Sequence, residues 1–331
     1  MRGLHLDVER WPLRRPLRIA GYIMDRASVV VATVTENDHA GRGEAAGVYY
    51  LEDDVDRIVA RIETVRALIE AGLDRRSLQH VLPPGGARNA LDCALWELEA
   101  KLSGQTLWRL AGIDQPKPLL TTFTCGADEP EVAAATAVAY TGAKAIKLKM
   151  TGEPADGDRV RAVRDARPDV WLSVDANQAF TPQSLEQLLP VLVEAGVAMI
   201  EQPFRMGAEA LLDDFDSPIP IAADESLQGA ADLPKLVDRF EVVNIKLDKC
   251  GGLTEGLEIA RAARLLGLKP MVGCMPGTSL CIAPAIVLGQ LCEIVDLDAP
   301  LFLASDREVT VEYAGGSVSL PEHLWGANAC R

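Results

Sequence analysis

Short apolar runs alternate with amphipathic stretches along most of the chain, from residue 119 onwards. The runs recur roughly every 25 residues, about the length of one strand, one helix and two loops. They cover 121–125, 145–150, 171–174, 198–200, 219–222, 242–245, 270–273 and 294–297. This periodicity predicts an α/β fold, a (β/α) barrel over residues 116–303. A doubly wound open sheet fits the same spacing and is the alternative, although no GxGxxG or Walker motif follows the first run.

The first 115 residues follow a different order, in which strand-like runs precede helical stretches. Strand-like patterns cover 3–9, 27–35 and 41–45, and helical periodicity covers 53–72 and 87–103. The intervening segment 10–26 contains prolines and arginines and is predicted to be a loop. This order predicts an α+β domain at residues 1–115. The C-terminal segment 304–331 returns to strand-like alternation and is predicted to rejoin this domain.

Composition narrows the partners and the compartment. The 331 residues carry a net charge of −15, which argues against nucleic acid or an anionic membrane as a partner. The seven cysteines, of which Cys330 is the last, form no CxxC pair, and such a scattered odd set is typical of a reducing compartment. The N-terminus has no apolar signal-peptide core and no apolar run is long enough to span a membrane, so we expect a cytoplasmic protein. Whether the protein is a homo-oligomer is left open.

Carboxylates end three successive predicted strands of the barrel: Asp175, Glu201 and Asp224. Active-site side chains of such barrels lie at the carboxyl ends of strands. Each acid alone fits an ordinary loop or helix cap, but all three occupy the same structural position. Three carboxylates that face one lumen cannot all stay ionised without a cation, and hard oxygen ligands with open positions suit Mg²⁺. The sequence therefore predicts a Mg²⁺ site on these residues.

Lysines stand on either side of this triad in strand order. Lys147 and Lys149 are two residues apart, so a strand would turn both ammonium groups to one face. An edge strand with two solvated lysines is the alternative for this segment. Lys246 ends the sixth predicted strand, which stands nearly opposite the second in a closed barrel.

This arrangement predicts proton transfer at a carbon held between two amines. A carboxylate substrate on the metal would place its α-carbon between the lysines, which act as bases only when neutral. A nearby cation and partial desolvation lower a lysine pKa toward working pH. Removal of the α-proton creates a dianionic enediolate, whose charge the metal neutralises. If one lysine removes the proton and the other returns it to the opposite face, the enzyme is a racemase or epimerase.

The motifs resemble those of the enolase superfamily and, within it, the muconate lactonising group. They are Ala-Leu-Asp-Cys-Ala-Leu-Trp-Glu-Leu-Glu-Ala-Lys at 90–101, Lys-x-Lys at 147–149, Asp-Ala-Asn at 175–177, Glu-Gln-Pro at 201–203, Asp-Glu-Ser at 224–226 and Asn-Ile-Lys at 244–246. The resemblance covers nearly the whole chain and implies a modified (β/α)7β TIM-like barrel with an α+β capping domain. It also implies Lys149 and Lys246 as the acid/base pair, Lys147 near the substrate carboxylate, and Glu225 as a partner of Lys246.

Asp296 and Asp298 on the last predicted strand resemble the Asp-x-Asp of dipeptide epimerases. In that group the two acids hold the α-ammonium of the substrate, and two carboxylates on one strand face suit a cation. A solvated strand end is the alternative. The resemblance implies inversion of the α-carbon of a dipeptide's C-terminal residue, with further substrate contacts from Tyr22, Thr124 and Met275. None of the four histidines lies at a strand end, unlike the histidine base of the mandelate-racemase branch.

The substrate remains open in two respects. The alternative is an N-acylamino-acid racemase or another superfamily lyase, such as an o-succinylbenzoate synthase-like enzyme, cycloisomerase or dehydratase. A third hypothesis is a non-catalytic binding protein on the same scaffold. Alanyl-glutamate epimerases carry an Arg in the segment 18–26, where this chain aligns Gly21 or Tyr22. Arg18 or Arg26 would serve an acidic side chain. An apolar side chain would suit Tyr22, Ile23 and Met24, and a cationic one would suit Asp25.

Overall fold

The first part of the chain forms an antiparallel sheet covered by helices. The computed structural model describes residues 2–326. Its first sheet has the order β1 (Gly3–Ile19), β2 (Tyr22–Glu36) and β3 (His39–Ala45). The helices that follow are α1 (Val55–Glu70), α2 (Arg75–Val81), α3 (Gly86–Ser103) and α4 (Leu107–Leu110). The predicted strands and both predicted helices are confirmed, whereas α2 was not predicted.

The predicted loop at 10–26 is wrong, because β1 and β2 run through it as one long hairpin. The strands pair as far as Ile19 and Tyr22, and the register shifts between Pro12 and Leu17. A proline cannot donate to a strand partner, which interrupts the strand pattern in the sequence. β1 is an edge strand, so its prolines are tolerated where the register shifts.

The second part of the chain is a barrel of parallel strands. Its eight strands are β5 (Phe123–Cys125), β6 (Ala145–Lys149), β7 (Trp171–Asp175), β8 (Val197–Glu201), β9 (Ile221–Ala223), β10 (Val242–Lys246), β11 (Lys269–Gly273) and β12 (Ile294–Val295), preceded by β4 (Leu119–Leu120). Each pairs with its neighbour in sequence, and the Thr122 amide donates to the Val295 carbonyl at 3.0 Å, which joins the first strand to the last. The predicted α/β barrel with a separate capping sheet is confirmed, and the open sheet is excluded.

Helices separate most of these strands. They are α5 (Pro130–Ala139), α6 (Ala155–Ala166), α7 (Pro182–Glu194), α8 (Leu233–Leu236), α9 (Leu247–Cys250), α10 (Leu253–Leu265) and α11 (Ser279–Gly289). The residues of β6 alternate, so that Ile146 and Leu148 join the core beneath the helices while the lysines turn inward. Buried apolar side chains fill the lower lumen, namely Met199, Ala222, Val242 and Met271. Lys149, Asp175, Glu201 and Lys246 stand at the carboxyl ends of their strands.

The C-terminal segment contacts both parts of the structure. Strands β13 (Glu312–Ala314) and β14 (Ser317–Ser319) form a small sheet with β4. The Ala304 amide donates to the Pro12 carbonyl at 2.8 Å, and the Trp325 indole donates to the Arg42 carbonyl at 2.8 Å. The boundaries 1–115, 116–303 and 304–331 stay predictions.

The described chain has free cysteines and no helix suited to crossing a membrane. Six cysteines of the described chain are free thiols, and Cys330 lies outside the described residues. Within residues 2–326, none of the helices combines the length and the apolarity that crossing a membrane requires.

Close packing of α3 on β3 predicts a large effect for one small substitution. A methyl group on Gly43 would place its carbon 2.1 Å from the Ala90 carbonyl oxygen. Because backbone atoms cannot yield, we expect Gly43→Ala to lower the free energy of unfolding by about 3 kcal/mol, the upper end for overpacking. Urea unfolding followed by circular dichroism measures this change.

Gly157→Ala is the matched control. Gly157 lies in α6, where the nearest neighbouring atom would be 3.6 Å from the added carbon. We expect unchanged stability or a gain of about 0.5–1 kcal/mol, because alanine is the better helix former. Equal stability losses in the two variants would contradict the packing explanation.

Candidate active site

The carboxyl ends of the barrel strands bring three buried carboxylates together. Asp175 and Glu201 end β7 and β8, and Asp224 directly follows β9. The pairing of β7 with β8 sets Asp175 beside Glu201. One ligand oxygen from each of the three lies within 4.8 Å of the others. The predicted metal ligands therefore form one cluster that can hold a metal ion.

Two of the predicted lysines border this cluster from different strands. The ammonium of Lys149, at the end of β6, lies 2.6 Å from Oδ2 of Asp175. The ammonium of Lys246, at the end of β10, lies 2.7 Å from Oδ2 of Asp224. In the eight-stranded barrel β6 and β10 are four positions apart, so they face each other across the lumen. The two amines thus approach the carboxylates from opposite sides.

Lys147 lies one layer further into the lumen than Lys149. Its Nζ is 2.8 Å from Oδ2 of Asp296 and also contacts Asp175 and Glu201. Burial disfavours its charge, but the carboxylates around it, Asp175 first, raise the pKa of Lys147 well above its usual value. Because β6 lies between β5 and β7, the edge-strand alternative for this segment is wrong.

Two neighbours of the cluster were not assigned from the sequence. The ammonium of Lys249 lies 2.6 Å from Oδ1 of Asp224, because the single turn of α9 folds it back over the strand end. The amide of Asn244 donates to Oε1 of Glu201 at 2.9 Å. Asn244 stands two residues before Lys246, and the strand period could have placed it in the lumen. Lys249 lies beyond the strand and offered no such signal.

The charge balance of the site fits a divalent cation. Six carboxylates and four lysines give a formal balance of −2: Asp175, Glu201, Asp224, Glu225, Asp296 and Asp298 against Lys147, Lys149, Lys246 and Lys249. Oε2 of Glu201 is buried and lies 2.9 Å from the Lys147 ammonium, with no other hydrogen-bond partner in the described chain. Burial, together with the charge of Asp175, raises the pKa of Glu201 to about 7. Hard oxygen donors with this surplus of negative charge are suited to Mg²⁺.

The pKa of Lys246 is raised, not lowered as the sequence predicted. Burial disfavours its charge, but the acidic groups around it, Asp224 first, together outweigh burial and raise the pKa of Lys246 well above its usual value. The side chains of the protein by themselves therefore keep Lys246 protonated. A lowered pKa depends on a cation that competes for the same carboxylates.

The two acids after β12 have different surroundings. Asp296 pairs with Lys147 and accepts a hydrogen bond from the Thr122 hydroxyl. Asp298 accepts the backbone amide of Thr124 at 2.6 Å, and no cation of the described chain pairs with it. Burial and the nearby charge of Asp296 raise the pKa of Asp298 to about 7. Of the two acids, Asp298 is therefore the one without a charged partner in the described chain.

The other predicted substrate contacts are only partly brought together. Thr124 and Met275 line the cavity above the cluster, as expected. Tyr22 does not line it but stacks on Tyr49, with ring centroids 5.0 Å apart, and Tyr49 forms the wall. Tyr49 was missed because it reaches the barrel from the capping domain, which no local pattern indicates.

Glu225 forms no hydrogen bond or ion pair with Lys246 in the described chain. Its Oε1 accepts a long hydrogen bond of 3.4 Å from the Asn177 amide, and its Oε2 is buried without a partner. Burial and the adjacent charge of Asp224 raise the pKa of Glu225 to about 7. The implied partnership with Lys246 is thus replaced by the direct pair of Lys246 with Asp224.

Comparison with known families agrees with this geometry. Residues 1–112 match the "Mandelate racemase / muconate lactonizing enzyme, N-terminal domain", and residues 131–324 match the "Enolase C-terminal domain-like" family. The chain belongs to the enolase superfamily. The domain that caps the barrel and the barrel itself are both accounted for by these matches.

Relatives of this superfamily member include dipeptide epimerases. It is 40% identical over 323 residues to the L-Ala-D/L-Glu epimerase of Escherichia coli, with 97% of this chain and 100% of the relative covered. A crystal structure of an Agrobacterium tumefaciens enolase family member, with bound sodium and L-Ala-L-Glu, has a TM-score of 0.95 at 38% identity and covers 98% of this chain and 100% of its own. The Enterococcus faecalis dipeptide epimerase, complexed with Mg and L-Leu-L-Tyr, has a TM-score of 0.89 at 28% identity and covers 98% of each chain.

Proposed function

We propose that this chain is an isomerase, a Mg²⁺-dependent dipeptide epimerase that inverts the α-carbon of the C-terminal residue. The observation that carries the proposal is the placement of Lys149 and Lys246 on opposite sides of one carboxylate cluster. A carbon acid held between two amines can lose its proton to one and regain it from the other. The relatives that bind or act on dipeptides support the substrate class.

The residues of the chain divide the reaction between them. Asp175, Glu201 and Asp224 would hold Mg²⁺, which when bound would neutralise charge on the substrate carboxylate and lower the pKa of the neighbouring lysines. Lys149 and Lys246 would perform the two-base 1,1-proton transfer through an enediolate of the substrate. Each lysine must be neutral to remove the α-proton and protonated to return it.

The remaining charges position the substrate. Lys147 would contribute positive charge near the substrate carboxylate, since it is buried and held by three acids. Asp298 would receive the α-ammonium of the dipeptide, because no cation of the described chain pairs with it. An N-acylated substrate has no ammonium for Asp298, which favours the dipeptide over the N-acylamino-acid alternative.

A dipeptide library tests the proposed function. L,L-dipeptides are incubated with the enzyme and MgCl₂ in D₂O, and mass spectrometry and chromatography follow deuterium uptake and the L,D product. We expect one deuterium at the C-terminal α-carbon and formation of the epimer. The same dipeptides with an acetylated N-terminus are the control and should react at least about 30-fold more slowly, because a buried charge pair is lost.

The outcomes separate the alternatives. A product of changed mass beyond deuterium uptake would indicate a lyase. Faster turnover of the acetylated compounds would indicate an N-acylamino-acid racemase and would remove the role proposed for Asp298. Absence of exchange with every dipeptide would overturn the dipeptide substrate class.

A further inference from the structure

The tip of the β1–β2 hairpin forms the roof of the active-site cavity. The Ala127 amide, beyond the end of β5, donates to the Arg18 carbonyl at 3.0 Å and fixes the hairpin over the barrel. Register pairs Leu17 with Met24 and Arg18 with Ile23. Paired residues share a face of the hairpin and adjacent residues alternate. The structure therefore separates an inner face from an outer face at the tip.

The inner face of the roof is apolar. Leu17, Ile19 and Met24 line the cavity above the lysines, together with the ring of Tyr49. Arg18 lies on the outer face and is exposed. Arg26, the other arginine of segment 18–26, pairs with Asp25 at 2.9 Å and lines a different cavity.

The end of the cavity next to Asp298 is apolar as well. Its wall consists of Leu13 from the hairpin and of Ala299, Phe302 and Leu303 from the segment after β12. Leu13 and Leu303 are joined by a β-bridge, so this wall is built from both domains. Apolar surface thus lines the cavity both beneath the hairpin and next to Asp298.

The cavity offers no free positive charge to a side-chain carboxylate. Within the described chain its lining cations are Lys147, Lys149 and Lys246, and each is paired with a carboxylate of the catalytic cluster. An acidic side chain beneath the roof would be desolvated close to Asp224 and Glu225. Burial of a charge without a partner is strongly unfavourable.

We infer, on the basis of the function proposed above, that the inverted C-terminal residue has an apolar side chain and that Met24, with Ile19, selects it. The substrate class is then a dipeptide such as L-Ala-L-Leu rather than L-Ala-L-Glu. This differs from the acidic dipeptide named for the Escherichia coli relative. An arginine at position 24 would reach from the inner face of the hairpin into the cavity and supply the charge that the wild-type roof lacks.

The test compares three substrates and two variants. Deuterium uptake gives kcat/KM for L-Ala-L-Leu, L-Ala-L-Glu and L-Ala-L-Lys. We expect the value for L-Ala-L-Leu to exceed each of the others by about 10²-fold, because an apolar pocket stabilises the transition state of an apolar substrate better. Met24→Arg should shift the Leu/Glu ratio toward L-Ala-L-Glu by about 10²-fold. Ile23→Arg is the matched control, because Ile23 lies on the outer face, and it should leave the ratio unchanged.

The outcomes distinguish this inference from the proposed function. A wild-type preference for L-Ala-L-Glu or L-Ala-L-Lys would overturn the apolar specificity while leaving a dipeptide epimerase. A ratio that Met24→Arg and Ile23→Arg shift equally would remove the role of Met24. If no dipeptide undergoes exchange, the proposed function itself fails. If circular dichroism shows that Met24→Arg does not fold, Met24→Ala replaces it. We then expect kcat/KM to fall for L-Ala-L-Leu only.

Discussion

Lys149→Gln is expected to lower the rate of epimerisation about 10³-fold in both directions. Exchange of the α-proton with solvent should continue on one of the two diastereomers. Lys149 and Lys246 lie on opposite sides of the carboxylate cluster, so each can reach only one face of the α-carbon. Lys246→Gln should therefore show the complementary loss, with exchange retained on the other diastereomer. Proton NMR in D₂O, started from the pure L,L and L,D dipeptides, measures exchange and inversion separately.

The control for this pair is Lys269→Gln. Lys269 is an exposed residue at the start of β11, at the opposite end of the barrel from the active site, and its loss should change neither rate. Exchange of both diastereomers in either active-site variant would contradict the assignment of one base to each face. Thermal unfolding of the variants shows whether a loss of activity reflects a loss of structure.

Removal of divalent cations is expected to reduce turnover below detection and to lower the melting temperature. The carboxylates of the cluster are buried, and the acids of the site outnumber its lysines. A ligand that binds only the folded state stabilises it, by about 2.7 kcal/mol at a concentration of 100 times Kd. MgCl₂ added to EDTA-treated protein should therefore raise the melting temperature in a saturable manner, as scanning calorimetry would show.

Glu201→Gln should lose this response without losing the fold. The amide keeps the size of the side chain, and Lys147 retains Asp175 and Asp296 as partners. Glu186→Gln, at an exposed position on α7, is the matched control and should respond to MgCl₂ as the wild type does. Stabilisation of Glu201→Gln equal to that of the wild type would show that Mg²⁺ binds elsewhere.

The charged core of the site links these two predictions. Lys246 is held protonated by Asp224, a residue that would also hold the cation. Loss of the cation is thus expected to affect the base as well as the substrate carboxylate. The effect of EDTA on turnover should accordingly exceed what weaker substrate binding alone would cause.

The barrel and the charged residues on its strands could be predicted from the sequence alone. Alternation along a strand has a period of two, so the local pattern at 145–149 already turned Lys147 and Lys149 to one face. The equal positions of Asp175, Glu201 and Asp224 at strand ends followed from the repeat length of the βα units. The alternation depends on neighbours within a few residues and the repeat on the regular succession of elements, and both can be recognised along the sequence.

Contacts between side chains of distant segments could not be predicted, because they depend on how the elements pack. The hairpin at 10–26 was missed because its prolines interrupt the strand pattern, and its register alone places Met24 inside and Arg18 outside. The folding back of Lys249 onto Asp224 and the pairing of Asp296 with Lys147, which separates its role from that of Asp298, likewise arise from packing. A one-residue change of register would exchange the faces of the hairpin without altering its composition. The chemistry was therefore encoded locally, whereas the walls that select a substrate depend on how the capping domain docks on the barrel.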